Sequence, residues 1–106
     1  RILHVEKALA RKAPQGVHYT VKVRDNLLPE NNGVFRVSGG SPAPVEKLPD
    51  TAPADLSVDI GTLTQLCLGF LSLEGALYKP EALLSGNRAA LEQAFPREAV
   101  FLTEFF

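Results

Sequence analysis

Two phenylalanines close the chain, Phe105-Phe106, and a chain end of that kind can do chemistry that a frayed polar end cannot. Burying each ring is worth about 1.5–3 kcal/mol, enough to hold the terminal α-carboxylate of Phe106 in one place. Such a carboxylate, with a reference pKa of about 3.5, is ionised at neutral pH. In a drier cleft its basicity rises toward that of a useful general base. The same two rings equally suit a plug in the hydrophobic core.

Other residue types that carry chemistry are sparse. His4, His18 and the single cysteine, Cys67, are too few for a transition-metal site, which wants three or four such ligands at ordered spacing. Cys67 lies in Leu66-Cys67-Leu68 and reads as a small buried hydrophobe rather than a reactive thiol. His18 falls on the polar side of an alternating segment, and neither histidine has a neighbouring serine or cysteine motif that would complete a triad. Asp55 and Asp59 flank Leu56-Ser57-Val58 and share one face of a strand; they read as a solvated face with Asp59 near a helix start. Gly39-Gly40 and Gly61 lack the spacing of a phosphate-binding loop.

The elements that must position these residues follow from hydrophobic periodicity. Ile2, Val5 and Leu9 recur at helical spacing before Pro14 and Gly16 break the pattern. From Val17 to Asp25 the alternation is strict, with Val17, Tyr19, Val21 and Val23 on one side and His18, Thr20, Lys22 and Arg24 on the other, which predicts a half-buried strand. Asn32-Gly33 leads into Val34-Phe35-Arg36-Val37, a second strand antiparallel to the first. Val45 to Leu48, flanked by Pro44 and Pro49, predicts a short strand at a sheet edge. Leu56, Val58 and Ile60 alternate, after which the period changes to 3.6, with Leu63, Leu66, Cys67 and Phe70 sharing a helix face. Pro80 suits the first turn of a short helix through Leu84, and Asn87 suits the cap of another over Arg88 to Phe95, ended by Pro96. The tail from Ala99 to Phe106 is rich in β-formers and large apolar groups, a terminal segment tucked into protein.

With 106 residues, 45% of them apolar, the chain is sized for one α/β domain covering residues 1–106. It contains no methionine and begins Arg1-Ile2-Leu3-His4, as expected of a piece taken from the C-terminal end of a larger protein. Eleven basic against twelve acidic residues give a net charge of −1, which argues against nucleic acid as a partner. The absence of a long apolar run and of a signal-peptide pattern sets the expectation of a soluble, cytoplasmic protein with no membrane association.

Three segments together resemble the C-terminal domain of the Eis-type N-acetyltransferases, GCN5-related (GNAT) enzymes that carry a sterol-carrier-like (SCP2-like) domain behind their acetyl-CoA-binding domains. The first runs from Arg24-Asp25 through Pro29 and Asn32-Gly33 to Phe35-Arg36-Val37. The second is the strand-to-helix unit from Leu56 to Phe70. The third is the chain end, with Phe95 closing a helix and an aromatic residue closing the protein. The start at Arg1-Ile2-Leu3-His4-Val5-Glu6 also resembles the beginning of that domain, whereas the Pro-rich stretch from Gly39 to Pro53 matches only loosely.

The resemblance implies a layered α+β domain, with a mixed or antiparallel sheet and helices packed on one face. It further implies that the domain holds no cofactor itself, acetyl-CoA being bound by N-terminal acetyltransferase domains of the same chain. By the same resemblance the domain lines part of the amine-substrate cavity, the Phe106 carboxylate accepts a proton from the attacking amine, and Glu104 and Phe105 border the cavity. Such enzymes assemble as homo-oligomers, and the domain alone should be inactive. Two other readings stay open: a sterol- or lipid-carrier module with an apolar ligand between Leu63, Leu66, Phe70, Leu71, Leu73 and Leu77, and an oligomerisation module.

Overall fold

The computed structural model describes residues 4–96. Their elements follow in the order α1 (Val5–Ala10), β1 (His18–Arg24), β2 (Gly33–Ser38), β3 (Val45–Leu48), β4 (Leu56–Asp59), α2 (Ile60–Cys67), α3 (Leu73–Ala76), β5 (Leu83–Leu84) and α4 (Arg88–Ala94). The five strands form one sheet in the order β3-β2-β1-β4-β5. β1 and β4 run parallel, whereas the other three pairings are antiparallel. The sheet is therefore mixed, as expected.

The alternation in β1 decides how the layers stack. Tyr19, Val21 and Val23 are buried, and the register sets them beside Val37, Phe35 and Gly33 of β2 and, for the last two, beside Leu56 and Val58 of β4. All four helices press their apolar residues into the same cluster: Val5 and Leu9 from α1, Leu63, Leu66 and Cys67 from α2, Leu73 from α3, Leu91 from α4. The opposite face presents Thr20, Lys22, Arg24, Arg36, Ser57 and Asp59, and carries no helix among the described residues. Val34, between Lys22 and Leu48 in the register, is the one strand residue fully buried on that side. Strand β3, bounded by prolines, takes the sheet edge as its sequence predicts.

Loops are held by side chains that satisfy backbone groups a sheet or helix would otherwise pair. Asp25 is buried, and its carboxylate accepts from the N–H groups of Leu27 (2.9 Å) and Leu28 (3.1 Å) and from Asn31 Nδ2 (2.9 Å). Asn32 closes the loop by accepting from Asp25 N at 2.8 Å and donating to Asp25 O at 2.7 Å. At the other end of β1, Thr20 and Asp55 clamp each other. Thr20 N donates to Asp55 Oδ2 and Asp55 N donates to Thr20 Oγ1, both at 2.9 Å.

Three expectations are corrected. Phe70 does not continue the buried face of α2, because the helix ends at Cys67 and Gly69, at φ +76°, turns the chain away; Phe70 is 56% exposed. The helix expected from Pro80 through Leu84 is absent: the helical turn is α3, capped where Ser72 Oγ accepts from Gly75 N (3.0 Å), and Leu83–Leu84 pair with β4 instead. Asn87 precedes α4, but in the left-handed region at φ 46°, and its side chain makes no cap; Nδ2 donates to the His18 carbonyl, tying α4 to β1.

Candidate functional site

Parallel pairing of β1 with β4 brings the two strands to an end side by side, with Arg24 opposite Asp59. The chain leaves β1 into the Asp25 loop and leaves β4 directly into α2, so both exits open on one cleft of about 410 Å³. Its walls are Arg24, Leu27, Asp59, Ile60 and Glu81, among others. A smaller depression on the helix-free face adjoins it and shares Arg24, Asp59 and Glu81, adding Lys22 and Ser57.

Asp59 sits where period 2 gives way to period 3.6, and it caps α2 by accepting from Thr62 N at 2.8 Å. Thr62 is buried, and its hydroxyl donates to Glu81 Oε1 at 3.1 Å. One threonine thus holds both carboxylates at the cleft. Partial burial pulls the Asp59 carboxyl upward, but the Thr62 N–H that donates to it, together with the Lys79 charge, brings it below the usual carboxylate value. Asp59 therefore stays ionised at neutral pH and behaves as a cap rather than as a proton acceptor.

The residues singled out in the sequence are dispersed. His4 and His18 are exposed. Cys67 is fully buried, and burial pushes its thiol up to about 12, with Lys12 opposing, so it is no nucleophile. Asp55 and Asp59 are each spent on backbone groups, Asp55 in the Thr20 clamp and Asp59 in the α2 cap. Among the described residues no three His, Cys, Asp or Glu side chains are grouped to hold a metal, and no helix is long and apolar enough to cross a membrane. Glu104, Phe105 and Phe106 lie outside the described residues.

Leu63, Leu66 and Leu73 are core residues, with Leu71 and Leu77 packed against that core. A further cleft of about 240 Å³ lies between Ser72, Arg88, Glu92, Phe95 and Pro96, at the end of the described chain. The sequence reading missed the cleft where β1 and β4 end. Arg24 and Asp25 stood among the resembling segments, but nothing in the sequence places Glu81 beside Asp59, because that contact depends on the two-residue strand β5.

Residues 5–103 match the sequence model of the sterol carrier protein domain. No curated protein matches the chain. Among solved structures, the chain is similar to Eis1 from Mycobacterium abscessus, with 28% identity and a TM-score of 0.67 over 85% of this chain and 22% of that one. It is also similar to a GCN5-related N-acetyltransferase from Anabaena variabilis ATCC 29413, with 27% identity and a TM-score of 0.67 over 95% of this chain and 26% of that one. The chain thus spans about a quarter of the length of these structures. With the family model covering nearly its whole length, the chain belongs to the sterol carrier protein domain family.

Proposed function

We propose that this chain is the C-terminal domain of an Eis-like N-acetyltransferase, where it borders the amine-substrate cavity and supplies the Phe106 α-carboxylate as general base. The observation that carries this reading is the likeness to two acetyltransferases at 27% and 28% identity over most of this chain, in a region amounting to a quarter of theirs. The carboxylate accepts a proton from the substrate amine, directly or through water, so that its nitrogen lone pair adds to the acetyl thioester of acetyl-CoA held by the catalytic domains; the C–S bond then breaks and CoA leaves as its thiol. Glu104 and Phe105 border the cavity. In this reading the acetyl-CoA site and the rest of the catalytic centre belong to the catalytic domains of the same chain.

The test uses the full-length enzyme with Phe106 removed and, separately, with one glycine appended after it. Acetyl transfer from acetyl-CoA is followed on a panel of polyamines. The appended glycine moves the charge and leaves both rings in place. Loss of about two orders of magnitude or more in kcat, with folding and acetyl-CoA binding intact, is the expected result. Unchanged rates in both variants make the tail a hydrophobic plug and return the domain to a carrier or assembly role.

A further inference from the structure

Two requirements of the fold meet at Asn32-Gly33, the step into β2. Gly33 holds φ at +147°, a conformation that L side chains rarely adopt. Asn32 serves as an amide, with Oδ1 accepting from Asp25 N at 2.8 Å while Nδ2 donates to Asp25 O at 2.7 Å. The fold therefore keeps side by side two residues whose sequence is chemically labile: glycine has no side chain to shield its nitrogen from the carboxamide carbon of the asparagine before it. Closing the five-membered ring between them requires a ψ of opposite sign to the 137° that Asn32 adopts. It also requires the carboxamide to turn, and both of its ends are bound to Asp25. The native loop is thus a lock on its own weakest bond. The hydrogen bonds of Asp25 with Leu27, Leu28, Asn31 and Asn32 all lie within the loop, so it can open while the sheet persists.

We infer that Asn32 is a site of spontaneous deamidation, gated by opening of this loop, and that the product holds the loop open. With the Asp25 bonds broken, the Gly33 nitrogen adds to Asn32 Cγ. Its proton passes by way of water to the side-chain nitrogen, whose bond to Cγ breaks, so that ammonia leaves and a cyclic imide remains. Water then adds to either imide carbonyl, opening the ring to aspartate or to isoaspartate. One water is consumed and one ammonia released; nothing is oxidised or reduced. The product cannot rebuild the lock. A carboxylate at position 32 still accepts from Asp25 N, but in place of Nδ2 it turns a second oxygen toward the carbonyls of Asp25 and Pro29, which Nδ2 meets at 2.7 and 3.4 Å. It also adds a charge to a loop already closed around the buried Asp25 carboxylate. Isoaspartate further inserts a main-chain carbon ahead of Gly33 and displaces its pairing with Val23. The loop so released walls two clefts: Asp25, Asn26 and Leu27 line the one where β1 and β4 end, and Glu30 and Asn31 line a second, also of about 410 Å³, beside α1.

The experiment ages the intact protein at mildly alkaline pH, folded and in denaturing urea, and follows by peptide mass spectrometry the conversion of each amide to an acid. Asn26, Asn31 and Asn87, which precede Leu27, Asn32 and Arg88, serve as references. In urea Asn32 should react faster than all three. In the folded protein it should react at least about tenfold more slowly than in urea, because the loop is open only a small part of the time. Asn31→Ala removes the donor to Asp25 Oδ2 and should raise the folded rate about threefold or more, leaving the urea rate unchanged. The consequence is read by hydrogen exchange in Asn32→Asp and, should that variant not fold, in wild-type protein aged in urea and refolded. The amides of Leu27 and Leu28, which donate to Asp25, should exchange faster, and those of Val21 and Phe35 in the central strands should not. Equal folded and urea rates, or a folded rate that Asn31→Ala leaves unchanged, overturn the lock. Faster conversion of Asn26, Asn31 or Asn87 in urea overturns the site. Unchanged exchange at Leu27 and Leu28 overturns the release of the loop.

Discussion

Tyr19 and Phe95 meet edge to face in the core, with ring centroids 5.6 Å apart and planes at 67°. The Tyr19 hydroxyl donates to the Lys12 carbonyl at 2.7 Å, so one side chain joins the central strand to the end of α4 and to the turn after α1. Replacing the ring and replacing the hydroxyl should differ. Tyr19→Phe keeps the packing and strands one carbonyl, costing about 0.5–1.5 kcal/mol. Phe95→Ala opens a cavity against Tyr19 and should cost about 3–5 kcal/mol. Urea midpoints measure both; equal losses would mean that the hydroxyl bond contributes as much as the ring contact.

Asp59 links the start of α2 to pH. Its folded pKa lies below the ordinary value of 3.8, so the native state binds its proton less tightly than the unfolded state does. The sign follows: its contribution is complete above about pH 4 and is lost as pH falls through the folded pKa. Asp59→Ala should lower stability at pH 7 by about 0.5–2 kcal/mol through loss of the cap on Thr62 N. Asp59→Asn keeps an acceptor and should remove the acid dependence that this group contributes. Thermal midpoints of the three proteins between pH 2 and 7, taken at fixed ionic strength, read out both effects.

Much of this architecture is legible in the residues because it is local. The alternation from Val17 to Arg24, the change of period at Asp59, and the prolines around Val45–Leu48 each specify an element from its own sequence, and the structure has all three. What the sequence conceals is set by distant contacts or by units too short for a period to show. Leu83–Leu84 is a strand only because Leu56 and Ser57 lie beside it, and α3 is four residues long. The helical period carries Phe70 onto the buried face only for a helix that continues past Gly69, and α2 ends at Cys67. The parallel pairing that builds the cleft is equally invisible, since alternation in β1 and β4 assigns faces but not neighbours.

Two glycines give opposite expectations. A Cβ on Gly39 would stand 1.7 Å from the Pro14 carbonyl oxygen, where the backbones of the α1–β1 and β2–β3 connections cross and Gly39 N donates to Val17 O at 2.8 Å. Gly39→Ala must displace backbone and should cost several kcal/mol, on the order of 3 or more. At Gly61, in the first turn of α2, the nearest atom is Asp59 Oδ1 at an ordinary 3.6 Å. Gly61→Ala should stabilise the domain by about 0.4–1 kcal/mol through helix propensity and a less free unfolded chain. Chemical denaturation of both variants checks the contrast.

Alkali should unfold the domain through its buried acids. Burial pushes the Cys67 thiol from 9.0 up to about 12, the nearby Lys12 charge opposing. Burial also raises the Tyr19 phenol, with Cys67 adding to the effect. For an acid whose folded pKa is raised, the native state holds the proton more tightly, so stability is whole below the unfolded value and declines as pH climbs toward the folded one. Denaturant midpoints should therefore fall between about pH 9 and pH 12. Cys67→Ala should be less stable than the parent at pH 7, from the lost packing, and should decline less steeply over that range. A thiol reagent at pH 8 should label Cys67 only as fast as the domain opens, and labelling should accelerate in urea. Rapid labelling of the native chain would instead place Cys67 at the surface and remove its share of the alkaline loss.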